Sequence, residues 1–222
     1  MEKIDDRIKA SKTLRYDISE PSVVFRIAWY VVASQPGVLL EEYSEPESKV
    51  FRGKATFTTT TGGVKARLQL SVDDAQKSIE MTAFGGNQAV ISRYVNDLAS
   101  LLESLLRKYR GIPDKEKNKL RRALMAKICW DKVVYEVLNK SPLSEIYVDL
   151  SHGREMIVQA TEGEDMHPVA FTTEAWLSKI ESLPRDKTLP ADIATELAKK
   201  TIEWKKETHT VISRYLQGSP SQ

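Results

Sequence analysis

"VKARLQLSV", Val64 to Val72, sets Val64, Ala66, Leu68, Leu70 and Val72 at alternate positions, with Lys65, Arg67, Gln69 and Ser71 between them. Only an extended backbone sends successive side chains to opposite sides, so this period of two predicts a strand with one buried and one wet face. Gly62-Gly63 precedes it, and a Gly-Gly between two β-patterned runs predicts a hairpin turn back to "KVFRGKATFTTTT", Lys49 to Thr61. "GVLLEEY" lies upstream of that, and "IEMTAF" follows the turn "DDAQKS". Together these predict a four-strand meander.

A helix is expected on each side of the meander. Before it, Val23, Val24, Ile27, Val31 and Val32 form a helical stripe with Trp29 and Tyr30 at its edges, closed by Pro36-Gly37. Phe25, Trp29 and Tyr30 read first as core and second as the lining of a ligand cavity. "KTLRYDI", Lys12 to Ile18, reads as a short strand ahead of that helix. After the meander, Gly85-Gly86-Asn87 opens a long helix with Ile91, Val95, Leu98, Leu102, Leu105 and Tyr109 on one side. The expectation is a β-α-β4-α antiparallel meander domain over residues 1–110, its sheet packed on the long helix, in an α+β chain.

That element order, with "AFGGNQAVISRYVNDLASLLESLL" as a closing helix, resembles compact helix-grip (START-like, SRPBCC) domains over residues 12–110. The resemblance implies a pocket between sheet and helix for an apolar small molecule, or a non-catalytic partner-binding role. It assigns no residue a role. Residues 111–222 suggest no family.

"RGIPDKEKNK" carries Gly111, Pro113 and a charge run without apolar periodicity, so 111–119 reads as a polar linker. The remainder, 120–222, reads as a mainly helical region with a small β-hairpin. Leu120, Leu124, Ile128, Val134 and Leu138 give one helix. "EIYVDL" and "EMIVQA" read as two strands joined by "SHGR", with "VAF" as a third short strand. Thr172 or Thr173 is expected to cap a helix carrying Trp176, Ile180 and Leu183. A last helix buries Ile193, Leu197, Trp204, Val211 and Tyr215 and ends at Gly218, before the tail "SPSQ". An echo, "VISRY" at 90–94 and again at 211–215, lacks aligned flanks and reads as coincidence.

The single cysteine, Cys129, excludes an internal disulfide, a CxxC pair and a multi-thiolate zinc site. The charged start "MEKIDDRIKASK" has no apolar core, and the most apolar run, Val23 to Ala33, is too short to span a bilayer. These features predict a cytoplasmic protein without membrane insertion.

Five groupings bear on chemistry. "HGREMIVQATEGEDMH" holds His152 and His167, and with Asp149, Glu155, Glu162, Glu164 and Asp165 it offers imidazole and oxygen ligands. A strand between the two histidines would hold them roughly 17–20 Å apart, so loop composition is the stronger reading; the site retained for an enzyme is Asp149, His152, Glu155 and His167. From Arg107 to Lys127, nine Lys or Arg face only Asp114 and Glu116, although the whole chain is +2. Arg107, Lys108, Arg110, Lys117, Lys119, Arg121 and Arg122 are the candidate contacts to phosphates, against a solvated helix end. Gly85-Gly86 precedes a helix without a GxGxxG or a P-loop, and reads as a turn that needs positive φ. Cys129 reads as helix packing, with no GxSxG present, and His209 as a solvated residue beside Glu207.

The function expected is that of a non-enzymatic binding or interaction protein, with a protein partner or small ligand, no metal and no cofactor. One alternative is a metal-dependent hydrolase using the Asp149–His167 region. Another is a nucleic-acid-binding protein using the 107–127 segment. The long amphipathic helices also allow a homo-oligomer.

Overall fold

The alternation around Leu68 becomes the centre of a five-stranded antiparallel sheet. A computed structural model of the chain describes residues 4, 7–44, 51–163, 167–184 and 187–216, and these divide into two units, Met1–Gly111 and Ile112–Gln222. The chain is α+β, with one sheet and six helices among the described residues.

The first unit runs β1 (Lys9–Arg15), α1 (Pro21–Ala33), β2 (Leu39–Ser44), β3 (Arg52–Thr61), β4 (Val64–Asp73), β5 (Ser78–Gly85) and α2 (Gln88–Gly111). The strand order is β1-β5-β4-β3-β2. Gly62 and Gly63 both have positive φ, 52° and 76°, which the two-residue β3–β4 turn needs. In register, Ala55 faces Leu70 and Leu70 faces Met81, and all three are buried. Their neighbours Thr56, Gln69 and Thr82 stand on the opposite face. α1 packs on β3 and β4, α2 packs on β1, β3 and β5, and the two helices touch. α1 is buried at every position from Val23 to Ala33 except Arg26. Its Trp29 meets Phe25 and Phe57 edge-on at 5.7 and 5.2 Å. These aromatics are core.

Two details differ from expectation, and a third lies outside the described residues. The first strand is Lys9–Arg15 and not Lys12–Ile18, because β5 supplies partners from Phe84 to Ser78 for that earlier stretch; Tyr16 and Ile18 are buried beyond its end. Gly85 and Gly86 do not take positive φ. Gly85 is required by crowding, since a Cβ there would lie 3.0 Å from Ile91 and 3.1 Å from the Lys65 carbonyl. The start of the "KVFRG" run falls on 45–50, outside the described residues.

The second unit is helical: α3 (Asp114–Leu138), α4 (Leu143–Ala160), α5 (Pro168–Glu181) and α6 (Ala191–Leu216). The expected hairpin is absent among the described residues, for "EIYVDLSHGREMIVQA" is one helix, α4. Leu143, Ile146, Leu150, Gly153, Ile157 and Ala160 are its buried stripe, spaced three and four apart, the period of a helix packed along one side. Asp114 to Lys119 is not linker but the first turns of α3, with Asp114 and Glu116 favourably placed at its N-terminus. "VAF" opens α5, which is capped by His167 and started by Pro168, not by Thr172 or Thr173. Leu138 is 59% exposed, and Val137 takes its place in the core. Gly218 and the tail lie outside the described residues. No described helix is long and apolar enough to cross a membrane.

Candidate functional site

In the first unit a cleft of about 360 Å3 opens where α1 ends, β3 ends and α2 passes. Gln35 and Pro36 come from the exit of α1, Thr59 to Gly62 from the end of β3, and Tyr94, Asp97, Leu98 and Leu101 from α2. Helical spacing explains the α2 contribution, since Tyr94, Leu98 and Leu101 are four and three residues apart. The period of two brings Thr59 to the buried side of β3, beyond Phe57. The cleft therefore combines an apolar wall with hydroxyl groups.

One of those hydroxyls is unusual. The Tyr94 Oη atom is buried and makes no hydrogen bond of normal geometry. Burial pushes Tyr94 above the ordinary tyrosine range; the nearby Thr59 hydroxyl opposes this more weakly. An unmatched buried hydroxyl costs about 1–3 kcal/mol. Such a group is a place where a ligand acceptor would gain most.

A second cleft, about 370 Å3, lies against Glu42, Lys54, Thr56, Gln69, Ser71, Glu80 and Thr82. Here the polar groups serve one another. Ser11 and Thr82 hydroxyls are 2.8 Å apart, and Thr82 donates to Glu80 at 3.3 Å. Nearby Arg67 holds Glu41 at 2.9 Å. This has the character of a solvated sheet face.

The basic residues are dispersed in their contacts. Arg110 pairs with Asp17, and Lys117 pairs with Asp114 at 3.2 Å. Lys119 donates to the Glu162 carbonyl at 2.6 Å, Arg121 to Asn118 at 3.2 Å and Arg122 to the Gln159 carbonyl at 3.5 Å. Arg107 and Lys108 are exposed on the last turns of α2. Lys127, counted in the same run, is only 2% exposed and belongs to the interior of the second unit.

The four residues of the enzyme alternative do not come together. Asp149 is buried, whereas Glu155 is exposed and accepts from Gln159 at 3.0 Å. His152 is half-buried on α4, and His167 spends its Nδ1 accepting the Val169 N–H at 3.3 Å. Among the described residues no three His, Cys, Asp or Glu side chains gather as a metal site would need; Glu164 and Asp165 lie outside them.

Asp149 instead joins a pair that the sequence did not reveal. It meets Lys132 at 3.8 Å and Glu136, both on α3. Glu136 is 4% exposed, and its Oε2 has no partner. Burial first, then the hydrogen bond and charge of Asp149, push Glu136 up to about 9, so it carries the proton that the two carboxyl groups share. Toward α6 stands a second cluster. Lys127 lies 3.3 Å from both Asp131 oxygens, and Lys205 of α6 lies 2.5 Å from one of them. Burial pushes Lys127 down to about 8; Asp131 opposes that and Lys205 adds to it. His209, expected to be solvated, is half-buried and pushed down by burial and then by Lys127.

Comparison with protein-family models, curated proteins and solved structures finds no match to this chain. The two clefts and two buried clusters are therefore read by their chemistry alone. Glu136, Asp149, Lys127 and Asp131 are all at most 9% exposed, so no substrate reaches them in this conformation. The α1–β3–α2 cleft joins access, apolar surface and a buried hydroxyl without a well-formed hydrogen bond.

Proposed function

We propose that this chain is a non-enzymatic binding protein whose first unit, a compact β-α-β4-α domain of helix-grip type, holds a small ligand in the α1–β3–α2 cleft. The observation that carries the reading is the buried Tyr94 hydroxyl, which Thr59 approaches without a hydrogen bond of normal geometry, beside Leu98 and Leu101. A ligand would rest an apolar body on the two leucines and Pro36 and accept the Tyr94 proton. At about 360 Å3 the cleft sits near the lower end of ligand pockets, which run from about 300 to 1,000 Å3. Less supports a hydrolase, since its four candidate residues are dispersed. Less also supports nucleic-acid binding, because five of its seven candidate side chains are engaged within the chain.

Titration of the whole chain with the neutral apolar dye Nile red tests this. Saturable one-to-one binding is expected. Leu101→Trp, at a rim position that is 40% exposed and so tolerant of bulk, abolishes it. Tyr94→Phe weakens binding of a ligand that accepts from the hydroxyl by roughly three- to tenfold, the value of one hydrogen bond. Absent saturation, or dye binding that persists in Leu101→Trp, overturns the proposal.

A further inference from the structure

The seam between α3 and α6 holds more positive than negative charge. Asp131, 4% exposed, receives two ammonium groups, Lys127 from its own helix and Lys205 from α6. His209, also on α6, faces Lys127. The other helix packed on α3 is α4; Asp149, the ionisable group in its buried stripe, is already matched with Glu136 and Lys132. One carboxylate thus answers two cations in a place where charge is poorly solvated. The surrounding contacts are rigid. Trp130 donates to Thr208 at 2.9 Å, and the Trp130 and Trp204 rings stand 5.4 Å apart.

We propose that the α3–α6 seam is a proton-linked joint, in which loss of one proton from the Lys127–Asp131–Lys205 cluster tightens the seating of α6 and its return loosens it. The lysine that gives up the proton is Lys127, the more buried of the two: its side chain is 3% exposed and that of Lys205 16%. Once Lys127 is neutral, Asp131 and Lys205 form a balanced pair. The sign follows from burial. Lys127 titrates lower when folded, at about 8, than when α6 is open. Its contribution is therefore present at high pH and is lost as pH falls through about 8. Protonation of His209, also disfavoured by its surroundings, adds a further cation and acts in the same direction at lower pH.

Hydrogen exchange of the full chain, read on α6 amides from Thr201 to Thr208 and corrected for base-catalysed intrinsic exchange, tests this. Protection should rise about tenfold between pH 7 and pH 9, one proton's worth of linkage over that span. Lys127→Met removes the amine that titrates, so in that variant protection is as high at pH 7 as at pH 9; Lys205→Met removes one of the two cations on Asp131, so in that variant the rise is smaller than in the unaltered chain. A response to Lys205→Met in the titration of a different amine is one that a purely local packing role would not produce. Flat protection in the unaltered chain overturns the proposal. So does a tenfold rise that survives in Lys205→Met, and that variant is informative even if Lys127→Met does not fold.

Discussion

Tyr94 loses water on folding and gains no hydrogen bond of normal geometry in exchange, so the unliganded protein carries a cost at the very atom that a ligand would use. Tyr94→Phe should therefore raise the stability of the free protein by about 1 kcal/mol while weakening ligand binding, seen by urea denaturation with and without ligand. Asp131 is the opposite case. It anchors Lys127 and Lys205, and Asp131→Asn would remove the charge that the buried Lys127 and the half-buried Lys205 share. A loss of about 3–5 kcal/mol is expected in denaturant titration, whereas Lys127→Met, which leaves a balanced pair, should be neutral or stabilising. At this scale the sequence was nearly silent. Lys127 and Asp131 are four apart in a basic run, the spacing of any solvated helical pair. Only the apolar residues around them, Leu124, Ile128 and Cys129, hinted that this face points inward. Tyr94 lay within the "VISRY" echo, and nothing in its spacing separated it from ordinary helix surface.

Among elements, α4 shows how a correct local rule can give a wrong element. "EIYVDL" and "EMIVQA" are rich in Ile, Val and Tyr, which favour strands, and "SHGR" has turn composition. Yet Gly153 is no turn. It is the point where α4 presses on α3, and a Cβ there would lie 2.5 Å from the Trp130 ring and 3.0 Å from Cys129. Trp130 is held by Thr208 and Trp204 and cannot yield freely. Gly153→Ala would ordinarily favour a helix by about 1 kcal/mol. Here it should cost about 1–3 kcal/mol through overpacking, measured as a lowered denaturation midpoint with unchanged slope. The signal for the helix was present as the three-and-four spacing from Leu143 to Ala160, but the glycine occupied one of its apolar positions and broke the pattern. β4 was legible because each face of its strand meets one environment, core or water, along its whole length. β1 was displaced because its limits are set by β5, which is distant in sequence.

Across the whole molecule, the shifted carboxyl of Glu136, the shifted amine of Lys127 and the shifted imidazole of His209 fall in the second unit, so the two halves should answer pH differently. Glu136 titrates near 9 when folded and near 4.5 when unfolded. Between those values the folded state holds a proton that the unfolded state has released, so stability falls as pH rises from about 4.5 to about 9. Below about 4.5 both states are protonated and the full contribution is present. Lys127 works the other way, adding stability as pH rises from about 8 to 10.5, and His209 adds some as pH rises toward its ordinary value. A bare profile of stability against pH therefore mixes opposed slopes. The difference between Glu136→Gln and the unaltered chain isolates one of them, since the amide keeps the shape and a donor for Asp149 but cannot ionise. That difference should be near zero at pH 4 and grow in favour of Glu136→Gln up to about pH 9. It should appear in unfolding of the half that contains Trp130, Trp176 and Trp204, and not in the half that contains Trp29, as tryptophan-resolved denaturation would report. A difference that is constant with pH would mean that Asp149, and not Glu136, holds the shared proton.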